Sequence, residues 1–334
     1  MARPRLTFVC ELDAARLTAL FANGSVLEEL RALDGHVALM LSDFSEARAA
    51  VIRQINAAAI PVLAIPLMPY EDGYYFTVEN APRARARYDE WKAWTAQHSL
   101  AWDGVGLDIE PEARVFEQIM ADAWGLVPML VRRLGRTEQA ERARTLYSGL
   151  IDEMRSDGYR VENYQFPIMA DERRAGSTLL QRLLGLADIT TDREVWMLYT
   201  SFTRTVGPGM VWTYGREARA IAVGTTGGGP DNPGHPQMPV LSWDELARDL
   251  RLAVRWCDDI YIHSLEGCVW QGFLPRLRSF DWRAATDPPE GTWAASGLRR
   301  ALRGALWASA HPWHVLGSAV AVAWLVRRWR TARR

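Results

Sequence analysis

Eight short runs of apolar and β-branched residues recur along the chain, and segments with helical spacing separate them. Their apolar character is nearly continuous, which is typical of strands that are covered on both faces in a parallel sheet. The segments between them, such as Glu46–Ala59 and Trp243–Trp256, repeat apolar residues at the spacing of an amphipathic helix. The eight runs are Leu6–Leu12, His36–Asp43, Pro61–Met68, Gly104–Glu110, Val161–Met169, Glu194–Ser201, Ala220–Thr226 and Asp259–Leu265.

Strict alternation of strand and helix predicts a parallel α/β fold, and eight such units predict a (β/α)₈ TIM barrel. A doubly wound open sheet is the alternative. Its usual GxGxxG fingerprint does not follow the first run, which favours the barrel. We expect the barrel to occupy residues 1–283.

The end of the chain has a different pattern. A Pro/Gly-rich linker is expected over residues 284–298, followed by an apolar and basic tail helix over 299–334. Residues 305–326 contain no Asp, Glu, Lys or Arg, and tryptophans and flanking arginines accompany them. This pattern predicts a transmembrane helix or a membrane anchor that lies in the interface. The alternative is an amphipathic helix that packs on the barrel.

Composition narrows the class of protein. The 334 residues are 49% hydrophobic and 24% charged, as in a globular chain, and the net charge of −1 argues against a nucleic-acid partner. Three cysteines, Cys10, Cys257 and Cys268, without CxxC spacing argue against a disulfide framework and a zinc site. The N-terminus lacks a signal-peptide pattern, so we expect a cytoplasmic barrel, tethered to a membrane if the tail inserts.

The fourth run, "WDGVGLDIEPE", carries two acids in an otherwise apolar strand. Side chains alternate between the faces of a strand, so Asp108 and Glu110 share one face while Leu107 and Ile109 share the other. Ionised carboxylates are costly to bury unless they are paired or lie in a polar cavity. An ion pair at the strand end is one interpretation. The other is a catalytic site, because barrel enzymes build their sites at the carboxyl ends of the strands.

Two neighbouring acids suit the hydrolysis of a glycosidic bond. That reaction needs a carboxylic acid to protonate the leaving oxygen and a second group to stabilise or attack the anomeric carbon. Like charges on one face raise at least one pKa, which keeps a proton available near neutral pH. We therefore expect Glu110 to be the general acid/base and Asp108 to be its partner.

The segment Asp103–Glu110, "DGVGLDIE", resembles the strand-four signature DGxDxDxE of the chitinase-type glycoside hydrolases, family 18. The resemblance implies that Glu110 is the general acid and that Asp108 orients the N-acetyl group of the substrate, which acts as the nucleophile. Gly106 stands where that family usually has Asp. The family's Met-x-Tyr-Asp segment on strand six is matched at Met197 and Tyr199, with Thr200 in place of the Asp.

If the N-acetyl group does not assist, the protein must supply a second catalytic group. Candidates at the ends of other runs are Glu11, Asp43 and Glu266, each of which could instead be a helix cap or a loop ion pair. We expect Gln165 and Tyr199 to project into the barrel mouth. Tyr199 would contact a sugar hydroxyl or the transition state, or would be a core tyrosine.

Two long connections follow the third and seventh runs. The first carries Tyr70 and Glu71 within an aromatic and acidic cluster, a composition that suits sugar binding, because aromatic faces cover the C–H faces of sugars. The second, "GTTGGGPDNPGHPQMP", is expected to be a mobile lid, and the alternative with less support from its residues is a phosphate-binding loop.

Three hypotheses remain open from the sequence. The first is a glycoside hydrolase-like barrel that acts on a carbohydrate or glycoconjugate without a cofactor or metal. The second is a non-catalytic carbohydrate-binding barrel, suggested by Gly106 and Thr200. The third is an enzyme in which Asp108 and Glu110 hold Mg²⁺ against a phosphorylated substrate.

Overall fold

Eight parallel strands close into a barrel in the order of the chain, and β8 pairs with β1. The structure is a computed structural model that describes residues 3–22, 24–112, 115, 118, 127–229, 239–314, 324, 328 and 329. The (β/α)₈ prediction is confirmed. The strands are β1 Arg5–Cys10, β2 His36–Leu41, β3 Val62–Pro66, β4 Gly104–Asp108, β5 Val161–Gln165, β6 Arg193–Met197, β7 Ala220–Gly224 and β8 Asp259–His263.

Helices follow the strands and cover the outside of the barrel. Local capping explains several of their starts: Ser45 accepts a hydrogen bond from the amide of Arg48, and Ser242 forms a capping box with Glu245. The helices are α1 Ala14–Phe21, α2 Ser25–Ala32, α3 Glu46–Ala57, α4 Ala81–His98, α5 Val127–Arg133, α6 Thr137–Ser156, α7 Ile168–Ala175, α8 Leu179–Leu184, α9 Gly207–Gly215, α10 Trp243–Val254, α11 Leu265–Trp270, α12 Phe273–Arg278 and α13 Thr292–Ala310.

Alternate residues of each strand face two separate cores. The outward residues, such as Leu107 and Ile109, pack against the helices, whereas Val9, Ile65 and Tyr164 fill the barrel interior. Both faces are buried, so the strands read as nearly continuous apolar runs in the sequence.

Paired charges close the amino-terminal end of the barrel. Glu162 is fully buried, accepts a hydrogen bond from the Tyr261 hydroxyl, and forms ion pairs with Arg160 at 3.0 Å and Arg193 at 3.3 Å. Burial raises the pKa of Glu162 to about 7, although the Tyr261 hydrogen bond and Arg160 act in the opposite direction. This end is a sealed floor, and the cavity described below lies at the other end.

The final described helix, α13, packs against α7 and α9. Its Arg299 is buried, pairs with Asp171 at 3.0 Å and Glu217 at 3.0 Å, and donates to the Thr213 carbonyl at 2.7 Å. The helix therefore runs across the expected boundary between the linker and the tail, and an ionic network attaches it to the barrel.

The prediction of a transmembrane helix is corrected by this structure. Of the helices in the described part of the chain, none has both the length and the apolar character needed to cross a membrane. Helix α13 contributes only residues 305–310 to the expected 305–326 span, and its preceding turns carry Arg299, Arg300 and Arg303. Most of the span beyond residue 314 lies outside the described residues.

Packing inside the barrel explains the glycine at position 106. A Cβ atom there would lie 3.0 Å from Ile65 Cγ1 and 3.0 Å from Tyr164 Cε2, which is closer than ordinary contacts. The Tyr164 ring thus occupies the space next to the strand where the resembling family carries an aspartate side chain.

We predict that Gly106→Ala lowers the free energy of unfolding by about 1–3 kcal/mol, the usual cost of overpacking a core. Denaturant unfolding measures this loss, and it should shrink in a Tyr164→Leu background, where the ring is gone. Gly149→Ala is the matched control, since open space surrounds Gly149 within α6 and alanine there should stabilise the helix. Equal effects of Gly106→Ala in the two backgrounds would contradict the packing explanation.

Candidate active site

A cavity opens at the carboxyl ends of the strands, and the ends of β1, β4, β6 and β8 supply its polar wall. It encloses about 730 Å³ up to its opening to solvent. The polar groups that line it include Glu11, Asp108, Glu110, Tyr199 and His263. This is the end of the barrel at which TIM-barrel enzymes carry their active sites.

Asp108 and Glu110 point into this cavity, as their alternation along β4 predicts. Asp108 is only 4% exposed, and its Oδ1 atom is buried with no hydrogen-bond partner among the described residues. The strand end is held from outside, where the Phe76 amide donates to the Asp108 carbonyl at 3.0 Å and Phe76 pairs with Ile109. The backbone thus fixes the direction in which both acids point.

Glu11 is the third carboxylate of the cavity and has defined partners. The Tyr74 hydroxyl donates to its Oε1 at 2.9 Å, and His263 Nε2 lies 3.3 Å from its Oε2. Glu11 follows β1 and His263 ends β8, so the closure of the barrel between these two strands brings them together. The two contacts hold the carboxylate of Glu11 in one orientation.

Glu266 lies behind Glu11 and does not line the cavity. Its Oε1 accepts the amide of Glu11 at 3.3 Å and the amide of Gly229 at 3.2 Å, and its side chain is fully buried. The carboxyl of Glu266 therefore holds the backbone of Glu11 and already occupies an amide of the glycine-rich loop. Residues 230–238 of that loop lie outside the described residues.

Proximity and burial shift the pKa values of the cavity acids upward. Burial raises the pKa of Asp108 well above its usual range, and the charge of Glu11 raises it further. Burial likewise raises the pKa of Glu110, with added contributions from Asp108 and Glu11, while His263 opposes the shift. Asp108 and Glu110 consequently retain their protons to a higher pH than isolated carboxyls do.

His263 balances part of this negative charge. Burial lowers its pKa, but the hydrogen bond to Glu11 and the charges of Glu11, Glu266 and Glu110 outweigh burial, so the net pKa is raised. Its ring lies 5.7 Å from the ring of Tyr199, centroid to centroid. Burial also raises the pKa of Tyr199, so its hydroxyl stays protonated and can donate a hydrogen bond.

The other candidates from the sequence lie outside the cavity. Asp43 forms an ion pair with Arg48 at 2.8 Å. Glu71 is exposed, and Tyr70 packs edge-on against Tyr74. None of these three candidates lines the cavity that holds Glu110.

Gln165 faces away from the cavity, which corrects the expectation that it projects into the mouth. Its amide donates to the Ala187 carbonyl at 3.1 Å, on the helix side of β5. The even-numbered residues at the end of β5 face inward, so Tyr164 and Phe166 line the cavity instead of Gln165. Thr200 also faces outward, where its hydroxyl donates to Asp249 of α10.

Sequence reasoning missed Tyr164 and Phe166 as members of the site, and it left His263 undecided. Side chains alternate along β5, so one inward-facing residue is enough to deduce that residues 164 and 166 also face the barrel interior. The contact of Tyr74 with Glu11 joins residues 63 positions apart and has no local signal.

A metal site receives no support from the described side chains. Among the residues that the structure describes, no three His, Cys, Asp or Glu side chains are grouped so that they could hold a metal ion. The Mg²⁺ hypothesis therefore gains nothing from the geometry of Asp108 and Glu110.

No family model matches the chain, and no curated protein matches it. Among solved structures, it is similar to a xylanase and α-amylase inhibitor protein in complex with trehalose, over 84% of this chain and 100% of that chain, with 10% identity and a TM-score of 0.41. It is also similar to D-psicose 3-epimerase in the presence of D-fructose, over 90% and 99%, with 12% identity and a TM-score of 0.39. Similarity this distant identifies neither a family nor an activity.

We predict that Asp108→Asn stabilises the protein at pH 8 by about 1–3 kcal/mol, because it removes an ionisable group whose charge is disfavoured by burial and by the charge of Glu11. The wild-type free energy of unfolding should fall as the pH rises from about 5 to 8. Carboxyls of the unfolded chain ionise near pH 4, whereas the raised pKa values keep the folded cavity protonated to a higher pH.

Denaturant unfolding at pH 5 and pH 8 measures both quantities, and the fall should be smaller in the variant. Asp89→Asn, on the exposed face of α4, is the control and should match wild type. A loss of stability in Asp108→Asn at pH 8 would contradict this account of the cavity.

Proposed function

We propose that the protein hydrolyses a glycosidic bond in a carbohydrate or glycoconjugate, with Glu110 as the general acid. The observation that carries this proposal is the grouping of Glu11, Asp108 and Glu110 in one cavity at the carboxyl end of the barrel. The raised pKa of Glu110 supports it, because a general acid must still hold its proton near neutral pH.

In the proposed reaction, Glu110 donates its proton to the glycosidic oxygen as the bond from that oxygen to the anomeric carbon breaks. The aglycone leaves as an alcohol. Water then supplies a hydroxyl group to the anomeric carbon, and its remaining proton returns to Glu110. Positive charge develops on the sugar ring during bond cleavage, so a second, ionised carboxylate is needed close by.

We assign that second role to Glu11. The hydrogen bond from Tyr74 and the contact with His263 orient its carboxylate. Asp108 raises the pKa of Glu110, and Tyr199 can donate a hydrogen bond to the sugar from the wall of the cavity.

This assignment differs from the N-acetyl-assisted mechanism that the resemblance to family 18 implies. Two positions at which that family carries aspartate are Gly106 and Thr200 here. Tyr164 fills the space beside Gly106, and Thr200 points toward α10, so neither position offers the substrate a carboxylate. A protein carboxylate such as Glu11 would then replace the assistance of the substrate.

The same two positions favour a second candidate function, a barrel that binds carbohydrate without cleaving it. Such a protein would retain the cavity and its aromatic wall while the reaction is lost. Turnover distinguishes the two functions directly.

We predict that Glu110→Gln lowers the hydrolysis of 4-nitrophenyl glycosides about 10²- to 10⁴-fold, because a general acid contributes a factor of this size. The assay follows release of 4-nitrophenol across a panel of sugars in both anomeric forms. Glu28→Gln, an exposed residue of α2, is the isosteric control and should retain wild-type rates. Sugar binding by wild type with no turnover of any substrate would favour the non-catalytic function.

A second prediction concerns the dependence of kcat/KM on pH. Activity requires protonated Glu110, so the rate should fall as the pH rises through the raised pKa of this residue. The negative charge of Asp108 contributes to that pKa, and Asp108→Asn should move the alkaline limb to lower pH. An alkaline limb that stays in place in the variant would show that another group is the acid.

A further inference from the structure

A second cavity lies beside the first, between the ends of β5 and β6 and the starts of α7 and α9. It encloses about 840 Å³ up to its opening to solvent. The residues that give it its character are Phe166, Ile168, Leu198, Phe202 and Met210.

The two cavities are adjacent, because four side chains line both of them. Phe166, Met197, Tyr199 and Phe202 line both. A molecule whose reacting bond lies at Glu110 can therefore extend across these shared side chains into the second cavity without leaving the protein surface.

The two cavities differ in the charged groups that line them. No Asp, Glu, His, Lys or Arg occurs among the described residues that line the second cavity. Its threonine hydroxyls are already used: Thr200 donates to Asp249, and Thr203 lies 3.8 Å from the sulfur of Met210. The first cavity has its carboxylates and His263 on the ends of β1, β4 and β8, away from this apolar side.

This polarity decides which part of a substrate fits where. A sugar ring placed in the second cavity would lose hydrogen bonds between its hydroxyls and water without replacing them, which is costly. An alkyl or aryl group would gain from leaving water, at about the free energy of transfer of each methylene.

We propose that the second cavity is a subsite for an apolar aglycone, so that the substrate is an amphiphilic glycoside. This inference rests on the proposed function for the cleavage step, and it names the substrate class. The sugar lies against the carboxylates, the glycosidic oxygen meets Glu110, and the apolar chain of the leaving alcohol occupies the space lined by Ile168 and Met210.

The proposed reaction releases the aglycone as an alcohol. Straight-chain alcohols therefore test the subsite even though the sugar of the substrate is not known. We expect the affinity of the full-length protein for 1-butanol to 1-octanol, measured by isothermal titration calorimetry, to rise about fourfold per methylene until the cavity is filled. The Glu110→Gln variant should give the same affinities, because the alcohol chain does not depend on the acid.

Two variants place a charge in the subsite. Met210→Glu introduces an acid in α9. Ile168→Asp introduces one at the first residue of α7, and we expect the fold to be retained because an acidic residue suits a helix N-terminus. Each should weaken 1-octanol binding at least tenfold and flatten the dependence on chain length. Leu146→Glu, on the partly exposed face of α6, is the matched control and should bind like wild type.

Wild-type affinities that do not depend on chain length, or octanol binding that both variants leave unchanged, would overturn the subsite. The alcohol-binding measurement and the glycosidase assay test different proposals, and either can fail without the other. Alcohol binding as expected, with no cleavage of any glycoside, would overturn the proposed reaction and leave the apolar subsite standing. Cleavage that requires Glu110, without alcohol binding, would overturn the subsite alone.

Discussion

The structure depends on the burial of several carboxyl groups in one small space at the open end of the barrel. Glu11, Asp108 and Glu110 line the same cavity, and no Lys or Arg is among the described residues that line it. Carboxyls this close cannot all ionise at low cost, so Asp108 and Glu110 retain their protons to a higher pH than isolated carboxyls do, while Tyr74 and His263 hold Glu11 in place. A proton held near neutral pH is what acid catalysis requires.

Buried carboxyl groups at the two ends of the barrel have different partners. At the floor, Glu162 is neutralised by Arg160 and Arg193 and has a structural role. At the mouth, the acids of β4 have no such cationic partner, and a buried oxygen of Asp108 is left without a hydrogen bond. This oxygen belongs to a residue that lines the cavity, where a substrate can supply the missing contact.

Much of the barrel and the centre of the site could be predicted from the sequence. The eight apolar runs became the eight strands, and the alternation around Asp108 and Glu110 placed both acids in the cavity. The same argument failed at Gln165, because the parity of β5 depends on where its pairing with β4 and β6 begins. A shift of one residue moves a side chain to the other face of the sheet.

The sequence by itself determined what depends on local periodicity, which is the order of strands and helices and the shared face of two acids on one strand. Only the tertiary structure decided which distant groups meet those acids. Glu11 reaches His263 because barrel closure joins β1 to β8, and Tyr74 reaches Glu11 through a loop that folds back over the mouth. Such contacts join residues far apart in the chain, and no local pattern of polarity specifies them. The start of the tail shows the same limit, because buried ion pairs of Arg299 attach helix α13 to the barrel.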